Sequence, residues 1–446
     1  PSSPPRLDDP WSHVPAWPQA TDHSAFFETP FEDGPAVTRA CLQCHPAAGD
    51  EVMTTSHWTW LGDDAPAGAL GKRNSQNNFC ISIASNWPRC TSCHVGYGWE
   101  DDSFFETAGP DRVDCLVCHD GSGQYEKAAT EAGRPGAATD LLVAARSVGR
   151  TSRSNCGVCH FRGGGGDGVK HGDLDQTMYF PSERVDVHMG KHDLRCADCH
   201  QAEHHRIRGR MLPTGDDPES RISCLDCHSE APHRRERLNT HVGSVACQTC
   251  HIPRYAIETG TKLWWDWSRA GIDGDPEKVA HDLAARVVAG EFDYPETVVA
   301  GFRRVGQDPD YHAHYDKKKG LFLVARRLVP EYHWYNRTTK RYQPGERYEG
   351  EPPLALNRPQ GSARDPSAKI WPFKVHRGIQ PFDLEHRHLL VPHTFGEGGY
   401  WSEFDWERAL IEGATSSGIP YSGKRGWIYS EMYWPQNHMV QAKEKA

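Results

Sequence analysis

The chain has 446 residues, enough for two or three ordinary domains, but only 37% of them are hydrophobic. With 42 glycines and 32 prolines, much of the backbone is expected to form loops, and another apolar component is needed to complete the core. The formal net charge of −10 excludes nucleic acid as the main partner, because phosphate binding requires a basic face.

Residues 1–40 form the first predicted region, an ordered but irregular arm rich in proline and aromatic residues. It is followed by seven copies of the motif Cys-x-x-Cys-His. In this motif the two thiols add to the vinyl groups of a haem, and the histidine binds the iron as the proximal ligand. The predicted haem-binding thiols are Cys41, Cys44, Cys90, Cys93, Cys115, Cys118, Cys156, Cys159, Cys196, Cys199, Cys224, Cys227, Cys247 and Cys250. The predicted proximal ligands are His45, His94, His119, His160, His200, His228 and His251.

Two other uses of these cysteines fit the pattern poorly. Zinc sites usually combine two Cys-x-x-Cys units and do not require a histidine directly after the second cysteine. A disulfide framework gives no reason for that histidine either. The sequence therefore predicts seven haems c, and with them an oxidising compartment such as the periplasm or the extracellular face.

Cys80 is the fifteenth cysteine and belongs to no motif. Three interpretations remain open for it: an inert buried thiol, the single-thioether attachment of an eighth haem, or a reactive group beside a cofactor. A thiol that tethers a haem is not free for catalysis, so the last two exclude one another.

A low-spin haem that transfers electrons needs a second axial ligand, commonly histidine. The chain has 26 histidines, far more than seven proximal ligands and seven distal ligands require. The distal candidates before residue 251 are His13, His23, His57, His171, His188, His192, His204, His205, His233 and His241.

No apolar run approaches the 18 or more residues needed to span a bilayer, so no transmembrane segment is predicted. The first residue is Pro1, which we interpret as the start of a mature form whose signal peptide has been removed.

The motifs start 23 to 49 residues apart and define a predicted multihaem core over residues 41–255. Leu141 to Val148, followed by Gly149, is predicted to be a helix. The expected fold class is mainly α with extensive irregular loops, a multihaem cytochrome c fold organised around its haems.

Residues 256–446 contain no cysteine but nine of the 15 tryptophans. Asp275, Pro276 and Glu277 predict a helix start, and Gly290 its end. No run of alternating strands indicates a sheet, so this region is predicted to be helix and loop that wraps the haem core. Its candidate distal ligands are His376, His386, His388 and His393. A separate substrate domain is the alternative.

The glycine-rich segment from Gly163 to Asp173 differs from the rest of the chain. It follows the fourth motif directly and crowds Asp167, Lys170, His171 and Asp173 into seven residues. One interpretation is a flexible surface loop. The other is a catalytic loop, in which a lysine of lowered pKa binds haem iron or an anion and nearby acids deliver protons.

Several of these stretches resemble the octahaem tetrathionate reductase family. They are Phe79-Cys80, Cys90 to Trp99, Asp114 to His119, and Cys156 to Asp175 with its glycine-rich extension. The resemblance covers roughly residues 20–255 and implies a periplasmic enzyme related to multihaem nitrite reductases and hydroxylamine oxidoreductases.

In that family one haem carries a lysine as an unusual axial ligand, with a cysteine and an aspartate nearby. The resemblance assigns these roles to Lys170, Cys80 and Asp167, at the haem held by Cys90 and Cys93. With His171, these three residues are the catalytic candidates. The family name implies eight haems, whereas 15 cysteines allow seven doubly tethered ones.

Two functions follow as hypotheses. The first is a reductase for a small sulfur or nitrogen species such as tetrathionate, nitrite or hydroxylamine, supplied with electrons by a quinol dehydrogenase or a small cytochrome. The second is an electron conduit without its own substrate, in which every haem is six-coordinate.

Overall fold

The computed structural model describes residues 20–61, 70–78, 82–163, 165–210 and 220–445. Helix accounts for 29% of the structure and strand for 17%, so the expectation of a mainly α fold is not confirmed. The strands lie almost entirely after residue 260, and the two halves of the chain differ in kind.

The N-terminal half consists of short helices joined by irregular loops. Its α-helices are α1 (Gly34–Leu42), α2 (Ala48–Met53), α3 (Ser56–Thr59), α4 (Trp87–Cys90), α5 (Phe104–Thr107), α6 (Leu116–His119), α7 (Leu141–Arg146), α8 (Arg153–His160), α9 (Val187–Lys191), α10 (Cys196–Cys199), α11 (Glu236–His241) and α12 (Cys247–His251). Short 3₁₀ turns cover Thr91–Cys93, Pro110–Arg112, Gln176–Tyr179 and Cys224–Asp226. Its only hairpin in the described residues joins β1 (Ala202–Glu203) to β2 (Arg206–Ile207).

Each motif occupies about one helical turn, which keeps its two thiols on one side of the backbone. The capping side chains explain where these turns begin. Ser152 and Asn155 form a reciprocal capping box at the start of α8. The predicted helix at Leu141 is confirmed as α7, with Asp140 accepting hydrogen bonds from the first turn.

The C-terminal half is built on an eight-stranded mixed sheet, and the expectation of helix and loop there is wrong. Its strands are β3 (Thr261–Asp266), β4 (Tyr311–Asp316), β5 (Gly320–Ala325), β6 (Glu331–Tyr335), β8 (Leu354–Ala355), β10 (Lys369–Asp383), β11 (His388–Leu389) and β12 (Arg425–Pro435). β7 (Thr339–Arg341) pairs separately with β9 (Asn357–Pro359). The order is β4-β5-β3-β10-β12-β8, with β6 and β11 also pairing with β10.

The sheet escaped prediction because its central strands are covered on both faces. β5 is almost continuously apolar, and β10 is buried along most of its length although it carries Lys374 and His376. Such strands do not alternate between apolar and polar residues, so they give no two-residue periodicity.

Helices cover part of this sheet. α13 (Pro276–Val288) confirms the predicted helix, with Asp275 as N-cap and Gly290 at φ 79° beyond its end. It packs with α14 (Glu296–Arg304) against β3, β4 and β5. Two further helices, α15 (Tyr400–Glu403) and α16 (Trp406–Ser417), complete the set.

Of the predicted N-terminal arm, residues 1–19 and with them His13 lie outside the described residues. Residues 34–40 are not irregular but belong to α1. In the described parts of the chain, no helix has the length and apolarity needed to cross a membrane.

Candidate functional site

One connected cavity of about 3030 Å³ runs through the N-terminal half and reaches the sheet. Ordinary small-molecule pockets occupy about 300–1,000 Å³, so this one has room for several large groups. All fourteen motif cysteines line it. Its residues are contributed by both halves, including Arg341 and Trp434 from the C-terminal half.

Six of the seven motif histidines each face a second histidine across this cavity, with ring centroids 6.1–6.5 Å apart. The pairs are His45 with His23, His160 with His57, His119 with His205, His228 with His188, His200 with His438, and His251 with His233.

This spacing is what two imidazoles on opposite faces of one haem require. A metal–nitrogen bond of about 2 Å, with about 1.1 Å from nitrogen to ring centroid, separates two such centroids by about 6.2 Å. Among the described residues, no three or more His, Cys, Asp or Glu side chains converge as a closed metal site. The spacing of the histidine pairs, together with the motif thiols that line the same cavity, fits haem c.

The hydrogen bonds of these rings agree with iron ligation through Nε2. A ligating histidine usually donates its other ring N–H to a carbonyl or carboxylate, which fixes the ring orientation. Nδ1 makes such a bond in His23, His119, His200, His205, His233 and His438. For His438 the partner is the buried carboxylate of Asp173, at 3.2 Å.

Five of the predicted distal histidines occupy these pairs, and His438 is one that the sequence analysis missed. His438 lies 238 residues after His200 and has no local motif, so only the fold brings it there. The C-terminal candidates lie elsewhere: His376 bonds Asn78, and His388 bonds the carbonyl of Pro420. His386 packs against His388 and His393 bonds Ser85, and none of the four lines the cavity.

Besides His171, which is described below, three more of the distal candidates lie outside the six pairs. His204 is exposed, and its Nδ1 lies 3.0 Å from Oε1 of Glu51. The other carboxylate oxygen of Glu51 bonds the ligand candidate His205, at 2.7 Å. His192 and His241 line the cavity at positions apart from the pairs.

Contacts between thiols of different motifs give the order of the haem positions in space. Cys41 contacts Cys115, and Cys93 contacts Cys159. Further contacts join Cys156 with Cys196 and Cys224 with Cys247, while Cys118 is close to Cys156 and Cys227 to Cys199. The first, third, fourth, fifth, sixth and seventh motifs therefore follow one another, and the second lies beside the fourth.

His94, in the second motif, is the exception. Its ring is fully buried among Trp58, Trp60, Trp99 and neighbouring phenylalanines, and it does not line the cavity. Its Nε2 lies 2.6 Å from the carbonyl of Trp58. A ring nitrogen that donates to a carbonyl carries its proton and has no lone pair for iron. This geometry differs from the predicted role of His94 as a proximal ligand.

Lys170 lies in the cavity near Cys93, a thiol of the second motif, whose His94 does not face a second histidine across the cavity. Burial, and then the positive charges of Lys72 and Arg341, lower the pKa of Lys170 to about 7. Its Nζ is 5.2 Å from the centre of the Trp434 ring. A substantial fraction of this amine is therefore deprotonated near neutral pH, the form that can bind iron.

The surroundings of Lys170 are cationic. Arg341, at the end of β7, donates to the carbonyl of Leu70 at 2.6 Å and lies 3.5 Å from the hydroxyl of Ser75. Lys72 lies over the Trp60 ring at 3.8 Å. Sequence reasoning missed both residues, because Arg341 is separated from the motifs by almost a hundred residues and Lys72 has no distinctive local pattern.

The remaining catalytic candidates are distributed differently. His171 lines the cavity with its ring against Trp434, and burial holds its pKa well below the usual value. Asp167 does not line the cavity and accepts a hydrogen bond from the amide of Gln176 at 2.7 Å. Burial raises the pKa of Asp167. Cys80 lies outside the described residues.

Comparison with known proteins gives a consistent result. Residues 262–446 match the family model "Cytochrome c bacterial", and residues 182–257 match "Cytochrome c7 and related cytochrome c". The chain is similar to the octahaem cytochrome c from Shewanella oneidensis, with 41% identity and a TM-score of 0.82. That likeness covers 96% of this chain and 92% of the other. A search among proteins of curated function finds no match.

Proposed function

Because the chain belongs to the octahaem family of multihaem c-type cytochromes, we propose that it is a reductase in which six bis-histidine haems supply one lysine-ligated haem. The observation that carries this proposal is the geometry at the second motif, where a lysine and not the motif histidine lies in the cavity. His94 is turned into its aromatic surroundings, while Lys170 lies in the cavity beside Cys93. Lys170 would then be the residue that holds the iron of that haem in place of His94, and the haem would supply electrons to a substrate bound in the cavity.

The haems supply single electrons, and the chain's own residues hold and orient what receives them. The order of the motifs supports a continuous path from the first and seventh motifs to the fourth, beside which the second lies. In this arrangement, the haem of the second motif would be the site of chemistry. The haems of the other six motifs would form the series that supplies it with electrons.

The proposed substrate is a small sulfur or nitrogen species, such as tetrathionate, nitrite or hydroxylamine. Arg341 and Lys72 favour an anion, because fixed cations stabilise negative charge in a site that excludes water. The proposed location is the periplasm or the extracellular face, with a quinol dehydrogenase or a small cytochrome as electron donor.

Seven complete motifs support seven doubly tethered haems, and Cys80 is the remaining thiol for a singly tethered eighth. Intact mass should exceed the chain mass by seven or eight haems. A value of six or fewer would contradict the proposed count.

Isotope labelling tests the lysine ligand without altering the protein. Protein labelled with ¹⁵N at the lysine side chain should show nitrogen hyperfine coupling at one haem, and protein labelled with ¹⁵N-histidine should show it at the other six. Coupling to histidine on both faces of every haem would refute lysine ligation.

Replacing Lys170 by alanine should leave every thioether in place, because no cysteine is touched. We expect the spectrum of one haem to change. The turnover number with nitrite or hydroxylamine should fall about 100-fold or more. Lys170→Arg should not rescue it, since a guanidinium stays protonated and cannot bind iron. Wild-type spectra and turnover in Lys170→Ala would exclude this site.

Arg341 offers a test of substrate charge. Arg341→Met should raise KM for nitrite or tetrathionate about tenfold, the cost of one charged hydrogen bond, and leave KM for uncharged hydroxylamine nearly unchanged. Arg337→Met is the matched control, because Arg337 lies in the same cavity beside Cys224. An equal effect on charged and uncharged substrates would rule out anion recognition by Arg341.

The second candidate function is an electron conduit, which the six histidine pairs favour. Carbon monoxide separates the two functions, since it binds reduced haem iron only where a position is open or easily vacated. One carbon monoxide per chain supports the reductase. No binding at all supports the conduit.

A further inference from the structure

The segment that carries Lys170 is held by the C-terminal half through its backbone carbonyls. Five consecutive carbonyl oxygens, from Gly168 to Gly172, accept hydrogen bonds from residues after position 255. The donors in that order are Thr261 Oγ1, Lys374 Nζ for Val169 and Lys170, Gln436 Nε2, and the amide of Ala256. This segment has no helix or strand that would satisfy those carbonyls itself.

Lys374 makes the central contacts of this set. It lies on β10, and its side chain is fully buried. Its Nζ is 2.5 Å from the carbonyl oxygen of Val169, 3.2 Å from that of Lys170 and 2.5 Å from Oγ1 of Thr261. Three acceptors therefore lie within hydrogen-bond distance of this one amine. The hydroxyl of Thr261 in turn donates a hydrogen bond to the carbonyl oxygen of Gly168, at 2.7 Å.

Gly172 shows how closely the segment fits. It has a φ of 83°, and a Cβ there would lie 2.9 Å from the Tyr255 ring and 3.0 Å from Cδ of Lys374. The backbone therefore approaches Lys374 as closely as a residue without a side chain permits.

We propose that Lys374 is a positioning residue for Lys170, holding the backbone on either side of it so that the Lys170 side chain is presented to the haem of Cys90 and Cys93. This inference rests on the proposed function, because it takes Lys170 as the ligand. A long, flexible side chain reaches a fixed point only if its backbone is fixed. Lys374 fixes it from a sheet that contains no haem-binding cysteine.

The test replaces Lys374 by methionine, which nearly preserves the length of the side chain and removes the hydrogen-bond donors of Nζ. We expect all haems to remain attached by mass and the six bis-histidine signals to remain unchanged. The magnetic signature of the remaining haem should broaden or disappear. Turnover number with hydroxylamine should fall about 10- to 100-fold with little change in KM, as expected from a misplaced group. Lys374→Gln should retain part of the signature, since its amide still donates.

Lys262→Met is the matched control. Lys262 is another buried lysine, on β3, with its Nζ 3.7 Å from the Trp265 ring centre and 4.0 Å from that of Phe322. The Lys262→Met variant should be less stable than the wild type and should keep the magnetic signature of the haem that Lys170 binds. If Lys374→Met likewise loses only stability, with the signature and turnover of wild type, the proposal is overturned.

Thr261→Val is a second, milder variant, for use if Lys374→Met does not fold. It removes one acceptor of Lys374 and the donor to Gly168. A homogeneous wild-type signature in Thr261→Val would then overturn the proposal. Failure of the proposed function is distinguishable, because in that case Lys170→Ala itself leaves the signature unchanged.

Discussion

The two halves of the chain reach a folded state by different means. In the N-terminal half, the described α-helices have four to nine residues, and motif cysteines form part of the packing around Trp58 and Val117. In the C-terminal half, α13 has 13 residues and β10 has 15. There the core around Trp264 and Phe302 consists of side chains alone. The first half depends on its haems for apolar burial, whereas the second supplies its own.

The halves nevertheless share one site. The C-terminal half contributes Arg341 to the cavity, Lys374 to the hydrogen bonds of the glycine-rich segment and His438 to the pair with His200. The half without haem-binding cysteines therefore does more than cover the haem-binding half, because it contributes side chains to the cavity and holds the segment that carries Lys170.

The largest expected effect comes from removing the haems. In a chain purified without covalent haem, we expect amides of α6, α8 and α12 to exchange hydrogen at nearly the rate of unfolded peptide. Amides of β10 and β12 should stay protected, because their core needs no cofactor. Exchange mass spectrometry measures both in one sample. Equal protection of the N-terminal helices with and without haem would contradict this difference between the halves.

A core truncation in the C-terminal half should have the opposite effect from haem removal, because it should destabilise the sheet half and leave the haem sites unchanged. Phe302→Ala removes a ring that is 2% exposed, and we expect it to lower the free energy of unfolding by about 3–5 kcal/mol. The haem spectra of the folded protein should not change. Ile411→Ala, on the exposed face of α16, is the control and should cost little. Altered haem ligation in Phe302→Ala would show that the two cores are not separate.

Asp175 should make the stability of the haem-binding half depend on pH. Burial, which leaves Oδ2 without a hydrogen-bond partner in the described residues, raises the pKa of Asp175 to about 6. The unfolded value is about 3.9, so the folded chain holds the proton more tightly, and this contribution to stability is lost as pH rises through 6. Asp175→Asn, which resembles the protonated acid, should therefore gain about 2–3 kcal/mol at pH 8 and almost nothing at pH 4.

Denaturant unfolding at several pH values measures that difference. Asp140→Asn is the control, because Asp140 is an exposed N-cap of α7. Its effect should not vary across this pH range in the same way. A gain in Asp175→Asn that is equal at pH 4 and pH 8 would exclude titration of Asp175 as the cause.

Local patterns made the haem motifs and two helices predictable, because each depends on residues that are close in sequence. The sheet was not predictable, since strands buried on both faces show no alternation. His438 and Arg341 were not predictable either, because only the complete fold brings them to the cavity. His94 shows a further limit: its motif is identical to the other six, and the aromatic residues that turn it away include Trp58 and Trp60, more than thirty residues earlier.

The smallest expected effect concerns the contact between the halves at Asp173. Its Oδ2 accepts a hydrogen bond from the His438 amide at 2.9 Å and lies 3.2 Å from Nδ1 of the same residue. A carboxylate at Nδ1 makes the imidazole a stronger donor to iron, which favours the oxidised state. Asp173→Asn should therefore raise the potential of one haem, by a few tens of millivolts, given that a tenfold change in relative stability is about 59 mV for one electron. Spectroelectrochemical titration should show one shifted component among otherwise unchanged ones. Glu258→Gln, whose carboxylate pairs with Arg184, should shift none. A uniform shift of all components would indicate a change of overall charge instead of a change at His438.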